Sequence, residues 1–162
     1  MSIRYNTKIL KLLKWGTYWL SETPEKPSLG WDAVCKRTAT WALMKDKRSG
    51  RHFYFINTHL DHKGKLAQLI MDRIDSVNPE GYPMIICGDF NVTPDDDCLE
   101  GINKSMQNAR ETAFRTDKNG TFNNWGAEKK VKPIDYIFYK GFSSCTEFAR
   151  VTKPYMERNF IS

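Results

Sequence analysis

Residues 84–91 read Met-Ile-Ile-Cys-Gly-Asp-Phe-Asn, an apolar run that stops at a glycine and gives way to polar side chains. A short apolar run bounded in this way is typical of a buried strand, and we predict one over Tyr82–Cys87. Gly88 allows a tight turn, so Asp89 should emerge at the sheet edge with Asn91 near enough to hold a carboxylate or a phosphoryl oxygen. Gly-Asp and Asn also form ordinary turns, so this stretch indicates a site only in combination with others.

A second stretch, residues 53–62, reads Phe-Tyr-Phe-Ile-Asn-Thr-His-Leu-Asp-His and predicts a strand over His52–Leu60. Strand alternation points Asn57, His59 and Asp61 to one face, where three polar side chains need partners or water. A single histidine in such a place is more often structural than catalytic. His59 therefore becomes a candidate because of its neighbours.

A helix is predicted between these two strands, over Lys65–Val77, because its apolar residues return to one face at helical spacing. A strand–helix–strand order would bring the polar ends of both strands to one edge, which favours a site there. The other predicted elements are strands over Ser2–Asn6, Thr38–Lys45 and Ile134–Tyr139, and a helix over about Asp96–Met106.

Two further charged residues lie beside predicted strands. Asp135 interrupts a β-rich run, so its carboxylate needs a charged or hydrogen-bonding partner, which is equally expected of a structural ion pair. Arg37 lies at the start of the predicted Thr38–Lys45 strand, directly before Thr38, and is either a phosphate contact or a surface charge.

Length and composition predict one domain over residues 1–162, because 162 residues with 40% hydrophobic content can bury a core and no linker or repeat divides them. The net charge of +6 favours an anionic partner, such as a phosphate ester or a nucleic acid, although the lysines are scattered. No apolar stretch of about eighteen residues exists, so we expect no transmembrane segment. We expect a monomer. We also expect free thiols, since the four cysteines form no close pair.

The N-terminal run of residues 8–20 mixes lysines into its apolar residues and lacks the features of a signal peptide. The sequence leaves localisation open. It would be cytoplasmic if residue 1 is the true N-terminus, and secreted or periplasmic if a longer parent carries a signal.

Three motifs together resemble the endonuclease/exonuclease/phosphatase family, in the family's order: Asn-Thr-His-Leu at 57–60, Gly-Asp-Phe-Asn at 88–91 and Ile-Asp-Tyr-Ile at 134–137. Residues 16–24 and 37–42 resemble a bacterial branch of it. The resemblance implies an α+β fold that is part of a four-layer α/β sandwich, with two packed mixed β-sheets flanked by helices. It also implies hydrolysis of a phosphate ester with Mg²⁺ or Mn²⁺.

The resemblance assigns a catalytic role to four residues. Asp89 would position or deprotonate the attacking water, and Asn91 would steady that aspartate and the phosphoryl group. His59 would hydrogen-bond a phosphate oxygen, and Asp135 would orient a histidine that the family carries near its C-terminus. Predicted substrate- or phosphate-binding residues are Arg37, Asn57, Asn123 and Trp125.

Family domains usually begin with a strand, a helix and a Glu that ligates the metal, and they end in Ser-Asp-His. Neither end is present here, so the metal ligands are unknown and we expect a partial domain that is unstable or impaired alone. A rival interpretation is a non-catalytic module that binds phosphate or nucleic acid. The loop of residues 121–126 would determine substrate preference if Phe122 or Trp125 is exposed, because such a ring can stack on a base or line an apolar pocket. Core packing of Phe122 and Trp125 is the alternative.

Overall fold

The computed structural model describes residues 2–30, 33–61, 66–122 and 131–151. These residues form eight strands, of which six make one mixed sheet in the order β1-β2-β3-β4-β7-β5, while β6 and β8 form a two-stranded ribbon. The strands are β1 Leu10–Trp19, β2 Thr38–Asp46, β3 His52–His59, β4 Met84–Asp89, β5 Gln107–Asn108, β6 Arg115–Thr116, β7 Asp135–Lys140 and β8 Glu147–Phe148.

The helices are α1 Leu66–Val77, α2 Glu100–Ser105 and α3 Ala109–Thr112, with a short 3₁₀ turn at Asp97–Leu99. Helix α1 connects β3 to β4, which pair in parallel, whereas β2–β3 and β4–β7 are antiparallel. The predicted strand–helix–strand unit is therefore confirmed, as is the α+β class.

The main core lies between one face of the sheet and the helices α1 and α2. Its sheet side includes Tyr54, Ile56 and Ile86, and its helix side includes Ile70 and Ile102, all of which are almost fully buried. Alternation along β3 explains this division, because every second residue faces the helices. The remaining residues of β3, including Asn57 and His59, face the other side.

That other side is only partly covered. Ala109 of α3, Tyr139 and Phe148 make a small cluster over one corner of it. Elsewhere Trp15 is 69% exposed and Ile137 is 41% exposed. We call this side, defined by Trp15, Phe55, Ile85 and Ile137, the open face.

Three predictions about elements were wrong. Residues 2–6, which the structure describes, form no strand. The first strand is Leu10–Trp19, which was not predicted because its lysines interrupt the apolar pattern. The helix predicted over Asp96–Met106 is divided into a 3₁₀ turn and α2. Gly88 makes no turn but lies inside β4, where a side chain would collide with the carbonyl oxygen of Thr58.

Strand ends differ from the predictions by one or two residues, and β4 extends to Asp89. None of the helices in the described ranges is long and apolar enough to cross a membrane.

Candidate active site

Three of the predicted residues lie side by side in one row across the sheet. His59 ends β3 and is directly opposite Asp89, which ends β4, and Asp89 is directly opposite Asp135, which begins β7. This follows from the pairing, because parallel β3 and β4 end at the same edge and antiparallel β7 starts there. We call His59, Asp89 and Asp135 the polar row.

Asn91 connects the polar row to the loop that follows β4. Its backbone is in the left-handed region, with φ of 56°, which asparagine tolerates better than most residues. Its backbone N–H donates to Asp89 Oδ1 at 2.8 Å. Its side-chain Nδ2 donates to the carbonyl of Leu60 at 2.8 Å and lies 3.1 Å from His59 Nε2.

These contacts fix the tautomer of His59. Because Nδ2 of Asn91 is a donor, Nε2 of His59 accepts, so the neutral ring carries its proton on Nδ1. Nε2 is also 3.6 Å from Asp89 Oδ2.

Solvent reaches the polar row. The side chains of His59 and Asp89 are 39% and 30% exposed, so a water molecule or a small anion can approach the Asp89 carboxylate. Oδ1 of Asp89 already accepts a hydrogen bond from the backbone N–H of Asn91, so Oδ2 is the oxygen that can accept a proton from a bound water molecule.

The pKa of Asp135 is raised, chiefly because the carboxyl is desolvated by burial and also because the charge of Asp89 lies opposite. A hydrogen bond from the Thr121 hydroxyl and the proximity of His59 act in the other direction. Thr121 Oγ1 also accepts the backbone N–H groups of Ile134 and Asp135, both at 3.2 Å. Sequence reasoning did not identify this role of Thr121, because a threonine in a loop carries no signal of a partner fourteen residues away.

Arg37 and Asn57 lie near the row but are placed differently. Arg37 directly precedes β2 at the same end of the sheet, and its Nε is buried with no hydrogen-bond partner among the described residues. Asn57 is two residues before His59, about 7 Å further along the strand. Its Nδ2 donates to the carbonyl of Ser2 at 3.0 Å, so this side of the amide is already occupied.

Asp61 was expected on the same strand face as His59, and this was wrong because β3 ends at His59. Asp61 is buried, and its Oδ2 accepts the backbone N–H groups of Val34 and Cys35. The predicted substrate-binding residues Asn123 and Trp125 lie outside the described residues.

The sequence model of the Endonuclease/Exonuclease/phosphatase family matches residues 14–162. The chain belongs to this family. The motifs that predicted the endonuclease/exonuclease/phosphatase family, at 57–60, 88–91 and 134–137, all fall within the matched range.

Solved structures of the endonuclease/exonuclease/phosphatase family are similar to this chain. A family protein from Bacteroides vulgatus is 38% identical, with a TM-score of 0.77 over 85% of this chain and 57% of that one. One from Bacteroides thetaiotaomicron is 33% identical, with a TM-score of 0.84 over 93% and 58%. A mannosyl-6-phosphatase from Bacteroides thetaiotaomicron is 32% identical, with a TM-score of 0.82 over 93% and 60%.

These relatives confirm the predicted bacterial branch of the endonuclease/exonuclease/phosphatase family. In each of the three, this chain spans less than two thirds of the relative's length.

Members of the endonuclease/exonuclease/phosphatase family are generally dependent on divalent metals, so we tested whether the described residues fit an ion. Among them, no three His, Cys, Asp or Glu side chains are grouped so that they could hold one. Asp89 and Asp135 offer two carboxylates, whereas Mg²⁺ requires about six oxygen ligands, some of them water. The described residues alone therefore do not make a metal site.

Proposed function

We propose that the chain forms part of a phosphoric ester hydrolase in which water attacks phosphorus at the polar row. The observation that carries this proposal is the register, which sets one histidine and two carboxylates directly opposite one another on three adjacent strands. Membership of a family that hydrolyses phosphate esters supports the same reaction class.

Asp89 is the proposed general base. Its side chain is partly exposed, and the Asn91 N–H that donates to Oδ1 orients the carboxylate. As the water oxygen forms its bond to phosphorus, the bond from phosphorus to the leaving oxygen breaks. Asp89 takes the proton of the water, and the leaving oxygen receives a proton from solvent.

His59 and Arg37 are the proposed groups that stabilise charge on the phosphoryl oxygens. A protonated His59 donates from Nε2, and Asn91 then has a free Nδ2 hydrogen to offer the same oxygen. Arg37 has a buried Nε with no partner among the described residues, which an anionic ligand would satisfy. Asn57, Asn123 and Trp125 remain predicted substrate contacts.

We keep Mg²⁺ or Mn²⁺ as the proposed cofactor, on the ground of the family. The described residues do not fit such an ion by themselves, so we assign it no step. We infer that further ligands come from the part of the relatives' length that this chain does not span.

The first substrate class to test is a sugar 6-phosphate, because a mannosyl-6-phosphatase is among the relatives that cover 93% of this chain. The rival function, binding of phosphate or nucleic acid without turnover, predicts a salt-dependent gel shift and no product.

The test is hydrolysis of mannose 6-phosphate and of a generic aryl phosphate in water enriched in oxygen-18, with Mg²⁺ or with a chelator. It is run on this chain alone and on the chain joined to the part of the Bacteroides mannosyl-6-phosphatase that it does not span. We expect inorganic phosphate that carries one heavy oxygen, detected by its phosphorus NMR shift, with slower turnover by the chain alone. Heavy oxygen in the alcohol product, or no phosphate from either protein, contradicts the proposal.

A further inference from the structure

The loop of residues 117–120 accepts two hydrogen bonds from one arginine side chain, that of Arg150. Arg150 Nε donates to Asp117 Oδ2 at 2.8 Å, and Arg150 Nη1 donates to the carbonyl of Gly120 at 3.0 Å. The side chains of Arg150 and Asp117 are 29% and 19% exposed, so this pair is mostly removed from solvent. A second guanidinium, that of Arg110, donates to the carbonyl of Lys118 at 2.8 Å.

This loop ends at the residue that contacts Asp135. Gly120 directly precedes Thr121, whose hydroxyl accepts two backbone N–H groups and hydrogen-bonds the Asp135 carboxyl. A methyl group added at Gly120 would collide with the carbonyl of Val131, so the backbone segments of Gly120 and Val131 approach each other closely. Thr121 is also held by its own backbone N–H, which donates to the carbonyl of Lys132 at 2.8 Å. The position of Gly120 contributes to that of the Thr121 hydroxyl, because the two residues are joined by one peptide bond.

We propose that Arg150 and Asp117 are positioning residues that form a clamp and orient the Asp135 carboxyl through Gly120 and Thr121. The expected effect of the clamp on turnover rests on the proposed function, because Asp135 matters for turnover only there. The expected effect of the clamp on the orientation of Asp135 does not depend on the proposed function.

The pair differs from an ordinary surface ion pair. The neighbouring ribbon carries such a pair, Arg115 with Glu147, at 3.4 Å, with side chains 77% and 55% exposed. Within the described ranges, the Arg115 guanidinium makes no hydrogen bond to the carbonyls of the 117–120 loop. An exposed pair of this kind contributes little to stability. Arg115 therefore provides a matched control for Arg150.

The groups that face Asp135 are Asp89 from β4, His59 from β3 and Thr121 from the loop. Arg150 and Asp117 are not among the causes of its raised pKa. Their effect on Asp135 should therefore act through the placement of Thr121 rather than through their own charges.

The experiment uses Asp117→Asn, Arg150→Gln and the control Arg115→Gln, with carbon-13 NMR titration of Asp135. Loss of the clamp should release the Thr121 hydroxyl, so the pKa of Asp135 should rise in Asp117→Asn and in Arg150→Gln and stay unchanged in Arg115→Gln. A direct charge effect has the opposite sign in Asp117→Asn, because removal of a negative charge lowers the pKa of a nearby carboxyl. A fall or no change in Asp117→Asn overturns the proposal.

Amide exchange gives a second readout that needs no titration. The Asp135 N–H is bonded to Thr121 Oγ1, and its hydrogen exchange should become about tenfold faster in the clamp variants, as expected for loss of a hydrogen bond to a positioned group. If Arg150→Gln fails to fold, Arg150→Lys keeps the charge but cannot make both contacts, and we expect the same direction with a smaller effect. Unchanged exchange in both Arg150 variants contradicts the clamp.

A double variant separates the clamp from general destabilisation. Thr121→Val removes the hydroxyl directly, so adding Arg150→Gln to it should cause no further rise in the pKa of Asp135. Additive rises would mean that Arg150 acts by another route and would overturn the proposal.

Turnover by the clamp variants, where it is observed, should fall through kcat with little change in KM. If the wild-type chain releases no phosphate, the proposed function fails while the NMR measurements still decide the clamp.

Discussion

At the scale of single residues, the sequence identified the polar row because each of its members breaks an apolar strand pattern. His59, Asp89 and Asp135 interrupt or end runs that are otherwise β-rich, and a polar group in such a place needs a reason. Thr121 and Arg150 could not be found in this way, since both lie in loop-rich sequence and act through backbone carbonyls and amides. The role of Asp61 was misjudged because alternation was extended past the end of the strand.

Asp135 yields a prediction about stability. Its pKa is raised in the folded chain by burial and by Asp89, so the protonated form is favoured there. Its contribution to stability is therefore full below the ordinary pKa of 3.8 and is lost as the pH rises through the higher folded value. Asp135→Asn should unfold at higher urea concentration than wild type at about pH 7, with the gain vanishing at about pH 3.

The control for this prediction is Glu22→Gln, which removes one negative charge from an exposed loop residue. It should leave the urea midpoint almost unchanged at both pH values. A loss of stability at neutral pH in Asp135→Asn would show that the carboxylate is better satisfied in the folded chain than its burial implies.

At the scale of elements, the strand–helix–strand unit was predictable because its apolar periods of two and 3.6 are clear. Strand β1 was not, because the lysines at 11 and 14 suit an edge strand, whose exposed side must resist pairing with other chains. The 3₁₀ turn before α2 also escaped prediction. The Asp96 side chain caps this turn by accepting a hydrogen bond from the Cys98 N–H. In the sequence, an aspartate at this position could not be distinguished from an ordinary residue of a longer helix.

The close approach of β3 and β4 can be tested at Gly88. A methyl group there would collide with the Thr58 carbonyl, and the φ of 149° is unfavourable for other residues. We expect Gly88→Ala to lower the free energy of unfolding by roughly 3 kcal/mol or more, combining backbone strain with overpacking. Urea unfolding measures this directly.

Gly50→Ala is the matched control. Gly50 has φ of 74°, but a methyl group added there would meet nothing within 4 Å, so only the backbone term applies. Its cost should be about 1 kcal/mol. Equal losses in the two variants would show that the contact with Thr58 is easily relieved.

At the scale of the whole molecule, the open face is the feature that the sequence predicted least directly. The described residues contain a six-stranded sheet and a two-stranded ribbon, with α1 and α2 on one side of the large sheet and α3 over one corner of the other. Trp15 and Ile137 remain exposed on the other side. An exposed apolar face of this kind is a liability for the solubility of the chain when it is studied alone.

The open face should bind the hydrophobic dye ANS when the chain is studied alone. Ile137→Thr should reduce the fluorescence gain, because it removes an exposed apolar side chain from the middle of the face without opening the helix-side core. Leu29→Thr, which changes an exposed residue outside the sheet, should not reduce it. Dye binding that is unaffected by Ile137→Thr would place the apolar site elsewhere.

The central claim is that the polar row performs phosphoester hydrolysis with Asp89 as the base. The most direct measurement is the rate of phosphate release by Asp89→Asn beside Asp75→Asn, an exposed acid near the end of α1, at the opposite end of the sheet. We predict that Asp89→Asn lowers kcat by about a hundredfold to ten-thousandfold, as for loss of a general base, and that Asp75→Asn has the wild-type rate. Equal rates in the two variants would contradict the account.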